Sequence, residues 1–114
     1  MAPSVLIVDD HDVFRSACRV FLEAEGFRVV GEAATGVQAV HEAVRLLPDL
    51  VLLDIQLPDL DGFAIADRLG ALAKPPLVVF VSTHDAATYG RRLHDRRFLS
   101  KHDLSGPALR ALMS

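Results

Sequence analysis

Short runs of aliphatic and β-branched residues, Val5-Leu6-Ile7-Val8, Leu50-Val51-Leu52-Leu53 and Leu77-Val78-Val79-Phe80-Val81, recur between stretches of helical periodicity. Runs of this length with no polar alternation read as strands buried on both faces. Strands covered on both faces need helices in the connections, so the pattern predicts an α/β domain built on a parallel sheet.

The intervening segments supply those helices. Residues 12–25 place Val13, Phe14, Ala17, Val20, Phe21 and Ala24 at helical spacing before Gly26 stops the run. Phe27 to Ala33 reads as a second strand. Thr35 is suited to cap a helix whose apolar face is Val37, Val40, Ala43, Val44 and Leu47, closed by Pro48. Leu57-Pro58-Asp59-Leu60-Asp61-Gly62 is a turn-rich loop, with Asp59 and Asp61 serving the turn and the cap of a third helix, Phe63 to Leu72. The last third is less regular: a weak helix over Ala86 to His94, a short strand over Arg97 to Ser100, and a final helix over Ser105 to Met113 with Leu109 and Leu112 facing in. Five βα units fit into 114 residues, which is one domain with no room for a second.

Composition excludes several classes. An apolar fraction of 51% is ample for a core, and the net charge of −3 gives no electrostatic case for nucleic acid or membrane as a direct partner. The Arg91, Arg92, Arg96 and Arg97 group is interrupted by Asp95 and reads as a solvated face. Cys18 is the single cysteine, so an intrachain disulfide is excluded, and its helical setting predicts a small buried hydrophobe. A strand beginning within a few residues of Met1 leaves no room for a signal peptide, and no apolar run approaches a membrane span; the expected location is the cytoplasm.

Chemistry gathers at the strand ends. Asp9 and Asp10 follow the first apolar run, Asp54 the third strand, Ser82, Thr83 and His84 the fourth, and Lys101 the fifth. Open α/β sheets bind ligands outside the carboxyl ends of their strands. Three carboxylates there repel one another by roughly 4 kcal/mol per pair at about 4 Å and an effective dielectric near 20. Such a cluster is suited to a divalent cation with hard oxygen ligands, Mg²⁺ or Mn²⁺. Asp54 could then serve as a carboxylate nucleophile toward phosphorus, with Lys101 neutralising charge on the phosphoryl oxygens. The five histidines, His11 and His84 included, show no metal-ligand spacing and read as surface or loop residues, His84 the least so because it borders the cluster.

Four segments, Val8-Asp9-Asp10-His11, Leu52 through Gly62, Val81-Ser82-Thr83 and Phe98-Leu99-Ser100-Lys101, together resemble the receiver domain of two-component response regulators. The Asp-Asp-His start and Val30-Gly31-Glu32-Ala33 are similar to the NarL/LuxR-type branch. The resemblance implies a doubly wound (βα)5 fold with a flavodoxin-like strand order 2-1-3-4-5. It implies that Asp54 accepts a phosphoryl group from a sensor histidine kinase. Asp10, Asp54 and the main-chain carbonyl of Gln56 would hold Mg²⁺ directly, with Asp9 acting mainly through water. Lys101 would pair with the Asp54 carboxylate, Ser82 and Thr83 would lie at the phosphate-binding and switch positions, and Phe98 would follow as an aromatic rotamer switch. Gln56 and His84 match positions that tune dephosphorylation. Regulators of that branch usually carry a DNA-binding domain after the receiver; residues 1–114 hold the receiver without an output domain.

The stretch from Ser82 to Lys101 is shorter than in most receivers, which predicts a short, frayed or displaced fourth helix. Thr83 reads as the cap of that helix. Lys101 is followed by His102 rather than proline. Two other functions stay open at this stage: a degenerate receiver acting as a static interaction module, and a Mg²⁺-dependent phosphohydrolase, for which Gln56 stands where a general acid is needed. Activation is expected to bring weak dimerisation through the first and last helices.

Overall fold

The computed structural model describes residues 2–114. Five parallel strands form one sheet: β1 (Ser4–Val8), β2 (Arg28–Ala33), β3 (Leu50–Asp54), β4 (Leu77–Ser82) and β5 (Arg97–Ser100), in the order β2-β1-β3-β4-β5. The helices between them are α1 (Asp12–Ala24), α2 (Gly36–Leu46), α3 (Gly62–Gly70), α4 (Ala86–Tyr89) and α5 (Gly106–Met113). The predicted doubly wound architecture and strand order are both present. The central strands are apolar because each is covered twice. Every residue of β1 and β3 is buried, and alternate side chains enter two cores: Leu6, Val51, Leu53 and Phe80 on one face, Val5, Ile7, Leu50, Leu52 and Val79 on the other.

Helix phase departs from the sequence expectation. In α1 the buried residues are Cys18 and Leu22, flanked by half-buried Phe14 and Phe21, while Val13 and Val20 are 78% and 70% exposed. Two apolar stripes lie side by side on this helix, and periodicity cannot separate them. The rotation is set by Arg15 and Arg19, which bond Glu32 on β2 at 3.1 and 2.8 Å. In α2 the small residues Gly36, Ala39 and Ala43 face inward and Val37, Val44 and Leu47 face water. The reason is close approach: a Cβ on Gly36 would lie 2.6 Å from Ile65 Cδ1 of α3.

The β3–α3 loop is held from both sides. Asp61 caps α3, accepting from the Phe63 amide at 2.7 Å. Asp59 does not join it: its two oxygens accept from the Gly36 and Val37 amides at the start of α2, at 2.8 and 3.1 Å. Thr35 caps the same helix through the Gln38 amide, as expected. At Gly62 a Cβ would sit 2.7 Å from Ile55 Cα and 2.8 Å from the Asp54 carbonyl oxygen. Backbone cannot yield as a flexible side chain does. Gly62→Ala is therefore expected to cost about 2 kcal/mol of stability, read as a lower urea midpoint; an unchanged midpoint would show that the loop re-forms without strain.

The last third is reduced as predicted. The fourth helix is a single turn, Ala86–Tyr89, followed by a 3₁₀ turn, Gly90–Leu93. Thr83 does not cap it; the cap position is Asp85, which makes no capping bond. Three of the four arginines are anchored: Arg92 pairs with Asp61 and lies 4.3 Å over the Phe63 ring, Arg96 pairs with Asp67, and Arg97 donates to the Leu112 carbonyl. Leu109 is fully buried under the sheet and Leu112 partly so. No helix among the described residues is long and apolar enough to cross a membrane.

Candidate functional site

Because β1 and β3 are adjacent and in register, Val8 beside Leu53, the residues that follow them emerge side by side at one sheet edge. Asp9 is fully buried and Asp54 is 5% exposed, while the Asp10 side chain remains 35% exposed. Ligand oxygens of these three acids and a ring nitrogen of His11 all lie within 4.8 Å of one another. β5 adds Lys101 from the other side of the sheet centre. Its Nζ donates to Asp9 Oδ2 at 2.5 Å and lies 3.9 Å from Asp54 Oδ2, with the Phe14 ring 4.1 Å below.

Lys101 thus pairs with Asp54 and, more closely, with Asp9. Burial alone would raise Asp9, but the hydrogen bonds from Lys101 and from the His11 amide outweigh it and hold the carboxyl below its ordinary value. Asp54 goes the other way. Its burial, with the charges of Asp9 and Asp10 adding to it, outweighs Lys101 and the Gln56 amide and pushes it up to about 6. The Gln56 amide donates to Asp54 Oδ1 at 3.1 Å, and the Gln56 side chain is exposed. Cys18 behind the site is raised to about 12 by burial and the nearby Asp9 charge, so it is an inert core residue as expected.

The donor set suits a small hard cation. Three carboxylates share one sheet edge with one ammonium, leaving an excess of negative charge that a divalent ion would offset.

Around this centre the other predicted residues divide. Ser82 is buried at the end of β4; its hydroxyl accepts from the His84 amide at 3.0 Å and shares a 2.6 Å hydrogen bond with the Tyr89 hydroxyl. Thr83 and His84 are exposed beside it. Phe98 is half-buried, its ring centroid 6.2 Å from that of Tyr89.

His11 is exposed in the loop before α1, as expected, and its Nδ1 lies 2.9 Å from Asp9 Oδ1 and 3.2 Å from Asp10 Oδ1. Two contributors escape the sequence reading. Arg15 holds the Asp9 carbonyl at 2.6 Å. Tyr89 reaches Ser82 from the shortened helix. Only its being the single tyrosine, seven residues beyond Ser82, hinted at it.

The chain is similar in sequence to the virulence-factor transcription regulator BvgA of Bordetella pertussis, with 39% identity over 106 residues, 90% of this chain and 51% of that protein. It therefore spans about half the length of the curated relatives it matches. Among solved structures it is similar to the receiver domain of the response regulator NarL from Mycobacterium tuberculosis, at 31% identity and a TM-score of 0.80 over 98% of this chain and 94% of that one. A CheY-like receiver domain from Methylobacillus flagellatus superposes with a TM-score of 0.85 at 26% identity, over 99% of this chain and 97% of that one. The family model of the response regulator receiver domain matches residues 5–102, a span that takes in both acid-bearing strands, Ser82 and Lys101. The protein belongs to that family.

Proposed function

We propose that this receiver accepts a phosphoryl group on Asp54 from the phosphohistidine of a sensor histidine kinase, in a Mg²⁺-dependent reaction, and that the resulting change controls transcription. The observation that carries the reading is the convergence of Asp9, Asp10 and Asp54 with Lys101 at one edge of the sheet. An Asp54 oxygen attacks phosphorus, the donor's nitrogen leaves, and the acyl phosphate that forms carries about −1.5 to −2 charges at neutral pH. Asp9, Asp10 and Asp54, with the Gln56 carbonyl, would hold the cation, which when bound supplies Lewis-acid stabilisation of the phosphoryl oxygens. Lys101 lies near enough to Asp54 to move from Asp9 toward the new negative charge. Ser82 is the hydroxyl suited to donate to the phosphoryl group, Thr83 its exposed neighbour, and Phe98 the half-buried aromatic side chain that would follow it as a rotamer switch. The exposed Gln56 and His84 side chains would tune attack by water on the acyl phosphate.

Features of the surface fit a docking partner. His11, Val13, Phe14, Ala17, Thr83 and Lys101 line an open hollow beside the acids, and the exposed Val13 and Val20 extend it along α1. A helix of the kinase laid on this apolar stripe would bring a phosphohistidine to Asp54. The same stripe would serve a homodimer through α1 and α5, in which Leu109 takes no part because it is buried.

The test uses acetyl phosphate as donor. With Mg²⁺ the intact mass should gain one phosphoryl group, and light scattering on that sample should show the dimer fraction rise. Chelation of the metal or Asp54→Asn should leave the mass unchanged. An adduct that persists in Asp54→Asn would move the acceptor elsewhere and overturn the reading.

A further inference from the structure

The hydrogen bond between Ser82 and Tyr89 ties the centre of the site to the shortest α-helix of the fold. Ser82 Oγ is buried and has two partners, the His84 amide and the Tyr89 hydroxyl; no hydrogen bond joins it to Asp54 among the described residues. A serine hydroxyl in this setting is committed to the α4 side. Turning toward a phosphoryl group on Asp54 means leaving Tyr89.

Tyr89 in turn has little else polar to hold. Its ring sits among Phe63, Phe98 and His84, with centroids 6.1, 6.2 and 6.4 Å away. α4 is one turn long, lacks a capping bond, and exposes Ala86, Ala87 and Thr88. One helical turn is not stable alone, so its position depends on tertiary contacts. Tyr89 is the side chain of α4 that reaches the core, while Leu93 and Arg92 anchor the following 3₁₀ turn. Phe98 has no hydroxyl and cannot replace Tyr89 as a partner for Ser82.

We propose that Tyr89 is a positioning residue that holds the Ser82 hydroxyl away from Asp54 in the resting protein, and that capture of Ser82 by the phosphoryl group releases Tyr89 and α4. The proposal rests on Asp54 being the phosphoacceptor. Tyr89 thereby sets the balance between the two states and carries the signal out through α4. Its hydroxyl, once abandoned by Ser82, turns to water, because a half-buried phenol left unpaired costs free energy.

The protein has one tyrosine and no tryptophan, so its near-ultraviolet emission reports Tyr89 alone. With Mg²⁺ and beryllofluoride, acrylamide should quench this emission more strongly than in the resting protein. Ser82→Ala should show the raised quenching without ligand and respond little when beryllofluoride is added. Tyr89→Phe keeps the ring and removes the competing bond, so it should bind beryllofluoride roughly fivefold more tightly, the weight of one ordinary net hydrogen bond.

Fluorine NMR of bound beryllofluoride reads adduct formation separately. An adduct with unchanged Tyr89 quenching, or equal affinity in Tyr89→Phe and the parent, overturns the proposal. If no adduct forms, the phosphoacceptor reading fails instead. The resting Ser82→Ala comparison still decides whether the bond holds Tyr89, and unchanged quenching there rejects the latch.

Discussion

Asp54→Asn is expected to stabilise the metal-free protein by about 3 kcal/mol at pH 7, while abolishing its capacity to accept a phosphoryl group. Asp54 titrates at about 6 in the fold against an ordinary value of 3.8, chiefly because burial penalises its charge. The folded state therefore holds the proton more tightly than the unfolded chain does. Stability from this group is fully present below pH 3.8 and is lost as the pH rises through about 6. Asparagine carries no charge to desolvate and still accepts the Gln56 amide, so it escapes that loss.

The difference between variant and parent should grow across this window and level off above it. Asp9 works in the opposite sense: its depressed value adds stability that is lost only as the pH falls below the ordinary carboxylate range. The two acids thus act in separate windows. Urea midpoints measured from pH 4 to pH 8 in EDTA check the expectation. A parent and variant of equal stability at pH 7, or a gap that does not narrow toward pH 4, would show that Asp54 is not strained by burial.

Lys101→Met should do the reverse, destabilising the metal-free fold by about 4 kcal/mol. Asp9 is fully buried, and its closest cation is the Lys101 ammonium at 2.5 Å. Removing one partner of a buried pair leaves the other charge uncompensated, which costs more than the pair contributed. The lost contact of Nζ with the Phe14 ring adds a smaller penalty.

Two controls make the cause visible. Adding Asp9→Asn to the methionine variant should recover much of the loss, because the orphaned charge is then gone. Mg²⁺ should also narrow the deficit, since a cation bound by the same carboxylates favours the folded state by mass action. A loss under about 1 kcal/mol, in the range of exposed ion pairs, would mean that Asp9 is solvated and the pair unimportant. Opposite signs from two residues 3.9 Å apart are what a site built for function predicts: one acid held in strain, one cation held to contain it.

The strands and the acid cluster were readable from the chain because both depend on local pattern. Val5 to Val8 and Leu50 to Leu53 have no polar alternation, and only burial on both faces explains such runs. Once β1 and β3 are parallel neighbours, Asp9 and Asp54 must share an edge. The short fourth helix near Ala86 was legible through the resemblance, since the stretch from Ser82 to Lys101 is shorter than in most receivers.

Helix rotation was only partly readable. α1 carries two apolar stripes, and the face expected for α2 is split: Ala43 is buried and Val40 packs on the core, while Val37, Val44 and Leu47 face water and Gly36 closes on Ile65. The reach of Asp59 to the start of α2 was hidden too, because the two ends lie 23 residues apart.

What the residue order established is the sheet, its parallel sense and the inventory of charged groups gathered at its edge, because strand burial and strand ends are properties of neighbours in the chain. Which ammonium serves which carboxylate, how far Asp54 is raised, and that Tyr89 claims the Ser82 hydroxyl follow from folding alone. Those outcomes depend on distances of a few ångströms between groups far apart in the polymer, where desolvation and hydrogen-bond geometry, not sequence spacing, set the energy.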